Sequence, residues 1–425
     1  MRSLSLTLVA LLSFCLSMAQ RTLIHCGNLV DPGAGKVLHE MTIVVEGNRI
    51  SDLRSGYVKP EGTDKVVDLK SRTVMPGLID MHVHFEEEIS PSRYIDKVQL
   101  NPADYAFKAA VYAQRTLMAG FTTVRDLGGS GVNISLRNAI NRGITVGPRI
   151  FTAGRTIATT GGHGDPTNGL NKIFMGDPGP ADGVVNGPED CMKAVRQRYK
   201  EGSDCIKITA TGGVLSNAKD GSGPQFTDEE LKAIVATAKD YGFRVAAHAH
   251  GAEGIKRAAR AGVNSIEHGT LMDDEAIAIM KEHGTWLVPT IIAGRSAADS
   301  AKIPGFFPPL VTPKAIAIGG RIQETFAKAY KAGVKIAFGT DAGVYQHGKN
   351  YIEFQYMVEG GMPPMECLRA ATLSAADLLD QKDNLGAIEK GKLADIIAVD
   401  GDPIKDVKVM KDVVFVMKDG KIYKQ

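Results

Sequence analysis

The chain has 425 residues, of which 44% are hydrophobic and 23% are charged. This composition excludes a disordered chain, a collagen-like repeat and a coiled-coil rod. The 50 Lys and Arg residues are nearly balanced by 48 Asp and Glu residues, so no strong positive field points to nucleic acid or an anionic membrane. At about 150 residues per domain the length allows two or three domains, and we expect a small-molecule partner.

The first 19 residues have the pattern of a secretory signal peptide. Arg2 carries the single positive charge, residues 4–16 are mostly apolar, and Ser17-Met18-Ala19 is a small-x-small cleavage pattern. This run is too short to span a membrane, and no later run reaches about 18 apolar residues. We therefore expect export to the periplasm or the extracellular space without membrane insertion, and no lipidation of Cys15, because Phe14 fits poorly before a lipidated cysteine.

Neither a disulfide scaffold nor a cysteine zinc site is predicted for the mature chain. Four cysteines follow the cleavage site, and none has a C-x-x-C spacing. They are Cys26, Cys191, Cys205 and Cys367.

Both ends of the mature chain show short strands separated by turns. Residues 46–49 are typical of a tight turn between two strands, and so are residues 418–421. Residues 20–75 and 381–425 are therefore predicted to share one small sheet, organised as a β-sandwich.

Residues 76–380 alternate between apolar strands and amphipathic helices. Thr227 and Glu230 form a capping box at one helix start, and Gly242, Gly262 and Gly284 recur about every 20 residues at helix ends. Gly333 follows the same pattern. An α/β fold, a (β/α)8 TIM-type barrel, is predicted, because a doubly wound sheet would need a G-x-G-x-x-G turn that is not found. Its eight predicted strands are residues 74–80, 122–126, 149–153, 205–211, 245–250, 265–268, 285–290 and 335–339.

Metal-ligand residue types stand at the ends of five of these strands. His82 and His84, two residues apart on an extended segment, point to the same side, and Lys207 lies among apolar residues although lysine is almost never buried unpaired. Each residue alone also has a structural explanation, such as a core histidine or a turn-forming aspartate. Together they indicate a divalent metal such as zinc. The candidate ligands are His82, His84, Lys207, His248, His268 and Asp341.

This arrangement resembles the amidohydrolase superfamily, whose barrels carry an H-x-H after strand 1, Lys on strand 4, His after strands 5 and 6, and Asp after strand 8. Residues 76–84, which read PGLIDMHVH, and residues 386–395 match the superfamily pattern. Residues 207–214, 160–163 and 247–251 are similar to the branch of prolidase-like Xaa-Pro dipeptidases, Lys/Arg carboxypeptidases and ochratoxin-type amidohydrolases.

The resemblance implies two divalent metal ions bridged by Lys207 after its N-carboxylation by CO2. His82 and His84 with Asp341 would hold one ion, and His248 with His268 the other. A hydroxide bridging the ions would attack the carbonyl carbon, since a divalent metal lowers the pKa of bound water towards about 7. Asp341 would be the catalytic proton shuttle. These ligands accept Zn, Mn, Co or Fe, and zinc is the ion we expect.

Several further residues are candidates for substrate contact. His163 lies in a glycine-rich loop and His250 shares a strand face with His248, so both are predicted to bind substrate. Glu86-Glu87-Glu88 could favour a cationic side chain or be a solvated loop, and His347 could reach the substrate. Trp286 is predicted to pack in its strand. Substrate choice is expected to depend on the loops at residues 215–225 and 294–313.

The predicted activity is hydrolysis of the amide bond of dipeptides or N-acyl-L-amino acids that carry a free carboxylate. Proline, aromatic and basic leaving residues stay open. One alternative is a cyclic-amide or lactone hydrolase of the imidazolonepropionase type, and another is a non-catalytic metal-barrel binding protein. A complete ligand set argues against the last alternative. A homo-oligomer is expected, as in many relatives.

Overall fold

The computed structural model describes residues 21–219 and 221–425. The predicted signal peptide lies outside them. The described chain has a mixed α/β fold, with strands β1 (Arg21–Asp31), β2 (Lys36–Glu46), β3 (Arg49–Ser55), β4 (Lys65–Pro76), β5 (Leu78–Val83), β6 (Phe121–Asp126), β7 (Arg149–Thr152), β8 (Ala158–Thr159), β9 (Val184–Val185), β10 (Ile206–Thr209), β11 (Val245–Gly251), β12 (Ser265–Leu271), β13 (Trp286–Val288), β14 (Ile396–Val399), β15 (Val413–Lys418) and β16 (Lys421–Lys424).

The helices are α1 (Arg93–Gln99), α2 (Pro102–Met118), α3 (Val132–Asn141), α4 (Lys172–Met175), α5 (Pro188–Glu201), α6 (Asp228–Asp240), α7 (Ala252–Ala261), α8 (Asp274–Glu282), α9 (Ile291–Ala301), α10 (Thr312–Gly319), α11 (Arg321–Lys331), α12 (Ile352–Glu359), α13 (Pro364–Arg369) and α14 (Ala375–Leu378). A π-helical turn (Ala370–Ser374) joins α13 to α14, and a 3-10 turn (Val407–Lys411) precedes β15. No described helix is long and apolar enough to cross a membrane.

The two chain ends form one sheet, as the sequence predicts. Its strand order is β16-β15-β14-β4-β1-β2-β3, with β14 antiparallel to β4. A separate apolar core, which includes Ile24, Ile43 and Phe415, packs within it. The predicted turn at its edge is a two-residue hairpin in which Asp419 and Gly420 both have positive φ. These strands belong to one hydrogen-bonded sheet, so the two-layered sandwich stays a prediction.

The central strands form two parallel sheets, β5-β6-β7 and β10-β11-β12-β13. Residues outside these strands make single parallel bridges to them: Ile157, which follows β7, pairs with Ile208 of β10, and residues 336 and 342 pair with Leu287 of β13 and Val83 of β5. A large apolar core lies between these strands and the surrounding helices. The carboxyl ends of parallel strands meet on one side, which is where the predicted metal ligands fall.

Two predicted strands need correction. Residues 335–339 are not a regular strand; they make two hydrogen bonds to Leu287 of β13 and one to Met81 of β5, and the left-handed backbone of Asp341 (φ 57°) ends the extended course. The predicted strand at residues 74–80 divides at Gly77, whose N–H donates to Asp395. A side chain at Gly77 would lie 2.2 Å from Thr122 Oγ1, so only glycine lets the chain cross from one sheet to the other here.

The predicted helix boundaries are confirmed where the sequence signals are strongest. The Thr227 hydroxyl accepts a hydrogen bond from the Glu230 N–H, and the Glu230 carboxylate accepts one from the Thr227 N–H. The glycines predicted to end helices, Gly242, Gly262, Gly284 and Gly333, all have positive φ. These caps fix where each helix stops and the next strand enters.

Candidate metal centre

Five of the predicted ligands meet near the carboxyl ends of the parallel strands. His82 Nε2 lies 3.2 Å from His84 Nε2 and 3.2 Å from Lys207 Nζ. Asp341 Oδ1 lies 3.3 Å from His84 Nε2 and 3.6 Å from His82 Nε2. One ligand atom each of His82, His268 and Asp341 fall within 4.8 Å of one another. The structure therefore brings together residues that are up to 259 positions apart in the chain.

Outside partners orient the imidazole rings of this cluster. His82 Nδ1 is bonded to Glu267, His84 Nδ1 to the Gly128 carbonyl and His268 Nδ1 to the Thr290 hydroxyl. In each ring the Nε2 atom is left for the cluster. Such outer partners fix the orientation and tautomer of metal-binding histidines.

His248 is turned the opposite way round. Its Nε2 atom lies 3.1 Å from the Gly212 carbonyl oxygen, so Nδ1 is the nitrogen left for a ligand. The ring lies 4.7 Å from that of His268 and 4.6 Å from that of His250, centroid to centroid. The pairing of β11 with β12 shifts register between Ala249 and Gly251. His248 and His250 line the same cavity.

Three residues at the centre hold an unusual backbone conformation. His268, Thr290 and Asp341 have φ values of 73°, 51° and 57° although none is glycine. Left-handed backbone is sparsely populated for such residues and persists where the surroundings enforce it, often at functional sites. The hydrogen bond between His268 and Thr290 is part of that enforcement.

Burial and neighbouring charges set the protonation of the centre. Burial lowers the pKa of Lys207 to about 8, against the opposing effect of Glu267 and Asp341. Burial would raise the pKa of Asp341, but His82, His84 and Lys207 outweigh it and lower it to about 2. The lowered pKa of Lys207 favours loss of its proton, whereas Asp341 is held as an ionised carboxylate. Both side chains lie beside Nε2 of His82.

The donor set fits a divalent cation. Imidazole nitrogens of His82 and His84 and a carboxylate oxygen of Asp341 lie within 3.6 Å of one another. Lys207 is only 4% exposed, and as an ammonium it has no lone pair for a metal. Its position beside His82 agrees with a role for the modified or neutral amine.

A cavity of about 410 Å³ opens above the cluster. His163 and His250, the predicted substrate contacts, both line it. The His163 ring lies 4.3 Å from that of His248 and against Gly213, where an added Cβ atom would lie 2.2 Å from His163 Nδ1. One wall is apolar and is formed by Val214, Leu215, Ala293, Ala297, Ile318, Ile322 and Val344. Besides the cluster, the charged residues that line the cavity are Arg93, Lys97, Arg155 and Asp182, together with Glu86, Glu87 and Asp165.

His347 lies outside the cavity lining. Its ring stacks on Tyr112 at 4.8 Å, and its Nε2 atom lies 2.9 Å from the Glu87 carbonyl oxygen. Its side chain therefore supports the loop that carries the acidic residues, and does not face the substrate space.

The acidic run is engaged in contacts within the protein. Glu86 accepts from the N–H groups of Ser130 and Asn133, Glu87 pairs with Arg93, and Glu88 accepts from the N–H of His347. Trp286 begins β13 and packs beside Lys335, as expected for a packing residue.

Sequence reasoning missed two buried charges behind the cluster. Glu267 is fully buried, and its carboxylate accepts hydrogen bonds from Arg125 at 2.8 Å and Ser265 at 2.5 Å besides bonding His82. The signal was available, since both Arg125 and Glu267 are charged residues inside apolar predicted strands, as Lys207 is.

Comparison with known proteins identifies the family. The Amidohydrolase family model matches residues 73–423. The chain is 32% identical to an ochratoxinase from Aspergillus niger over 96% of its own length and 87% of that protein. It is 24% identical to an imidazolonepropionase from Treponema denticola over 84% and 85% of the two chains. The crystal structure of a Xaa-Pro dipeptidase with methionine bound in its active site superposes with a TM-score of 0.93 at 55% identity, over 96% of this chain and all of that one. This chain therefore belongs to the Amidohydrolase family and is a hydrolase that acts on amide bonds.

Proposed function

We propose that this protein is a binuclear metal-dependent hydrolase of dipeptides or N-acyl-L-amino acids that carry a free carboxylate. The observation that carries the proposal is the convergence of His82, His84, Lys207 and Asp341 beneath a cavity large enough for such a substrate. The relatives named as ochratoxinase and Xaa-Pro dipeptidase support the choice of an amide substrate.

His82, His84 and Asp341 would hold one ion and His248 and His268 the second, with N-carboxylated Lys207 joining the two. Zinc suits this set of nitrogen and oxygen ligands. Divalent ions bound here would activate water as a nucleophile and polarise the scissile carbonyl group.

The protein's own contribution to the reaction is placement and proton transfer. The new C–O bond forms as water attacks the carbonyl carbon, and the C–N bond breaks. The Asp341 carboxylate would accept the proton that water releases and deliver it to the leaving nitrogen, since an amine leaves poorly unless it is protonated. Water thus supplies the oxygen of the new carboxylate and the hydrogen of the new amine.

The apolar wall of the cavity favours an apolar side chain next to the scissile bond. The carboxylates of the cavity already have partners within the protein: Glu86 and Glu87 are engaged with backbone N–H groups and Arg93, Asp165 accepts within its own loop, and Asp182 lies 3.8 Å from Arg155. The related Xaa-Pro dipeptidase binds methionine. His163 and His250 would contact the substrate near the reacting carbonyl group.

The proposal also covers the fold and the cellular location of the protein. An eight-stranded barrel over residues 76–380 is supported by the bridges from residues 336 and 342 to β13 and β5 and from Ile157 to β10. Residues 20–75 and 381–425 would form a flanking β-sandwich domain. Export after removal of residues 1–19 rests on the sequence alone.

The test is a paired measurement on the purified protein. Metal per chain is determined by elemental analysis, and release of the C-terminal residue is followed for Xaa-Pro, Xaa-Met, Xaa-Lys and N-acyl-Phe substrates. We expect close to two metals per chain and cleavage of an apolar class. Lys207→Ala should lose both properties, whereas Lys328→Ala, at an exposed ion pair with Asp274, should keep them. Two metals with hydrolysis only of a cyclic amide or lactone would favour the imidazolonepropionase-type activity instead, and a chain that binds no metal would exclude both.

A further inference from the structure

Arg93 is a largely buried arginine in the wall of the cavity that has more hydrogen-bond donors than partners. Its side chain is 14% exposed, and Nη2 donates to Glu87 Oε2 at 2.6 Å. Nε and Nη1 are buried and have no hydrogen-bond partner among the described residues. A guanidinium group is always charged and carries five N–H donors. Leaving such donors unpaired in a protein is costly.

Two other carboxylates that line the same cavity as Arg93 do not supply the missing partners. Both oxygens of Glu86 accept from backbone N–H groups. Asp165, farther along the cavity wall, accepts from Gly161 and Thr167 within its own loop. Glu87 is the single anion that pairs with Arg93 in the described part of the chain.

The other cations of the cavity differ from Arg93 in exposure. Arg155 is 38% exposed and lies 3.8 Å from Asp182, and Lys97 is exposed. Water can satisfy the donors of both. Arg93 alone among these three combines burial with unpaired donors, so it is the one whose pairing a ligand would complete.

Arg93 also lies close to the reacting centre along the chain. The Glu87 N–H donates to the His84 carbonyl group at 3.3 Å, so the residue that anchors Arg93 is one turn away from a cluster histidine. His84 and Arg93 line the same cavity. A substrate whose carbonyl group reaches the cluster could therefore place a nearby anionic group against Arg93.

We propose that Arg93 binds the free carboxylate of the substrate and so selects α-carboxylates over neutral amides. This inference rests on the proposed function. Arginine suits the role because its planar group forms charge-assisted hydrogen bonds with carboxylates. His163 is less suited to it, because its unpaired Nδ1 atom packs against Gly213, which leaves no space for a carboxylate at that atom.

The experiment compares Ala-Met with Ala-Met amide, which share the scissile bond and differ in the terminal charge. In the unmodified enzyme kcat/KM should be higher for the acid. Arg93→Gln should lower kcat/KM for the acid by roughly 10- to 100-fold, mainly through KM, because one charged hydrogen-bonding partner is lost. The value for the amide should change little. Arg93→Lys keeps the charge and should restore part of the preference.

Arg155→Gln is the matched control, since it removes an arginine from the same cavity and should leave the acid-to-amide ratio unchanged. Equal losses on both substrates in Arg93→Gln would indicate a purely structural role and overturn the inference. A ratio abolished by Arg155→Gln instead would overturn it as well. Circular dichroism of each variant separates misfolding from altered recognition, and Arg93→Lys carries the test if Arg93→Gln fails to fold.

Failure of the proposed function leaves the inference testable. If the enzyme cleaves neither dipeptide, calorimetric binding of N-acetyl-L-methionine and its amide replaces turnover. Tighter binding of the acid that is lost in Arg93→Gln would support the inference without any hydrolysis. Equal binding of both compounds, or binding of neither, would reject it.

Discussion

Glu267 Oε2 lies 2.9 Å from Nδ1 of His82, and both side chains are almost completely buried. The other carboxylate oxygen accepts from Arg125, whose Nε atom donates to the Met81 carbonyl group. Burial would raise the pKa of Glu267, but Arg125, His82 and Lys207 outweigh it and lower it to about 2. The ionised carboxylate of Glu267 thus binds Nδ1 of His82 and leaves the Nε2 atom oriented towards the cluster.

Replacing this carboxylate should weaken metal binding. Glu267→Gln keeps the shape of the side chain but removes the charge that orients His82, and we expect a fall in metal affinity of roughly 10- to 100-fold. Arg125 would lose its ion-pair partner in the interior, so the free energy of unfolding should also fall by about 3 to 5 kcal/mol. Chelator competition measures the affinity and urea unfolding the stability. Glu282→Gln, at the exposed end of α8, serves as the control, and an unchanged metal affinity in Glu267→Gln would contradict the role of His82 orientation.

Asp341 should matter more for turnover than for substrate binding. Asp341→Asn preserves the size of the side chain and removes the proton acceptor, so kcat should fall by roughly 10²- to 10⁴-fold while KM changes little. Metal content is measured on the same preparation, because Asp341 is also a proposed ligand. Asp182→Asn alters a carboxylate of the same cavity and should retain kcat. A variant with normal kcat and a raised KM would exclude proton transfer by Asp341.

The sequence shows which of the candidate ligand residues can meet in space because their positions follow the strand repeat; their role as metal ligands stays a prediction. His82 and His84 lie at the end of β5, Lys207 lies within β10 and Asp341 follows a predicted strand, and parallel strands place their carboxyl ends on one side. The left-handed backbone at Asp341 and His268 has no comparable signal, because neither residue is glycine and the conformation is imposed by tertiary contacts.

The periodicity of apolar residues in the sequence does not show which distant segments of the chain pair with one another. Residues 335–339 have the composition of a strand, but their backbone hydrogen bonds go to β13, β5 and the π-helical turn, and the alternation of side chains does not reveal these several partners. Likewise the fate of Glu86-Glu87-Glu88 depended on partners such as Asn133 and Arg93, which lie outside the run.

Glu353 should make stability dependent on pH. Its carboxyl group accepts from the N–H groups of Ile291 and Ile292 at the start of α9, and burial raises its pKa from 4.5 to about 8, outweighing these bonds. The folded protein therefore holds a proton that the unfolded chain releases between pH 4.5 and 8, and this group's contribution to stability is lost as the pH rises through that window.

Glu353→Gln removes the titrating group. Relative to this variant, the unmodified protein should lose up to about 1.4 kcal/mol of unfolding free energy per pH unit between pH 5 and 8. Urea unfolding at several pH values measures the difference. Glu359→Gln, at the exposed end of α12, the helix that also carries Glu353, should show no such trend. A difference between protein and variant that is constant with pH would show that Glu353 is ionised throughout the window.

The contact between Gly213 and His163 can be tested by a reciprocal pair of substitutions. Gly213→Ala would place a Cβ atom 2.2 Å from His163 Nδ1, so the ring must move, and overpacking of this kind costs about 1 to 3 kcal/mol. We expect a lower Tm and a lower kcat/KM. Gly320→Ala, whose added Cβ meets no atom within 4 Å, should leave both unchanged.

The double variant Gly213→Ala/His163→Ala separates the packing effect from the role of the ring. Removing the imidazole makes room for the new methyl group, so Tm should recover towards that of His163→Ala alone. The kcat/KM should stay low, because the proposed substrate contact is still absent. Recovery of kcat/KM together with Tm would mean that His163 only fills space, and that the substrate is positioned by other residues of the cavity.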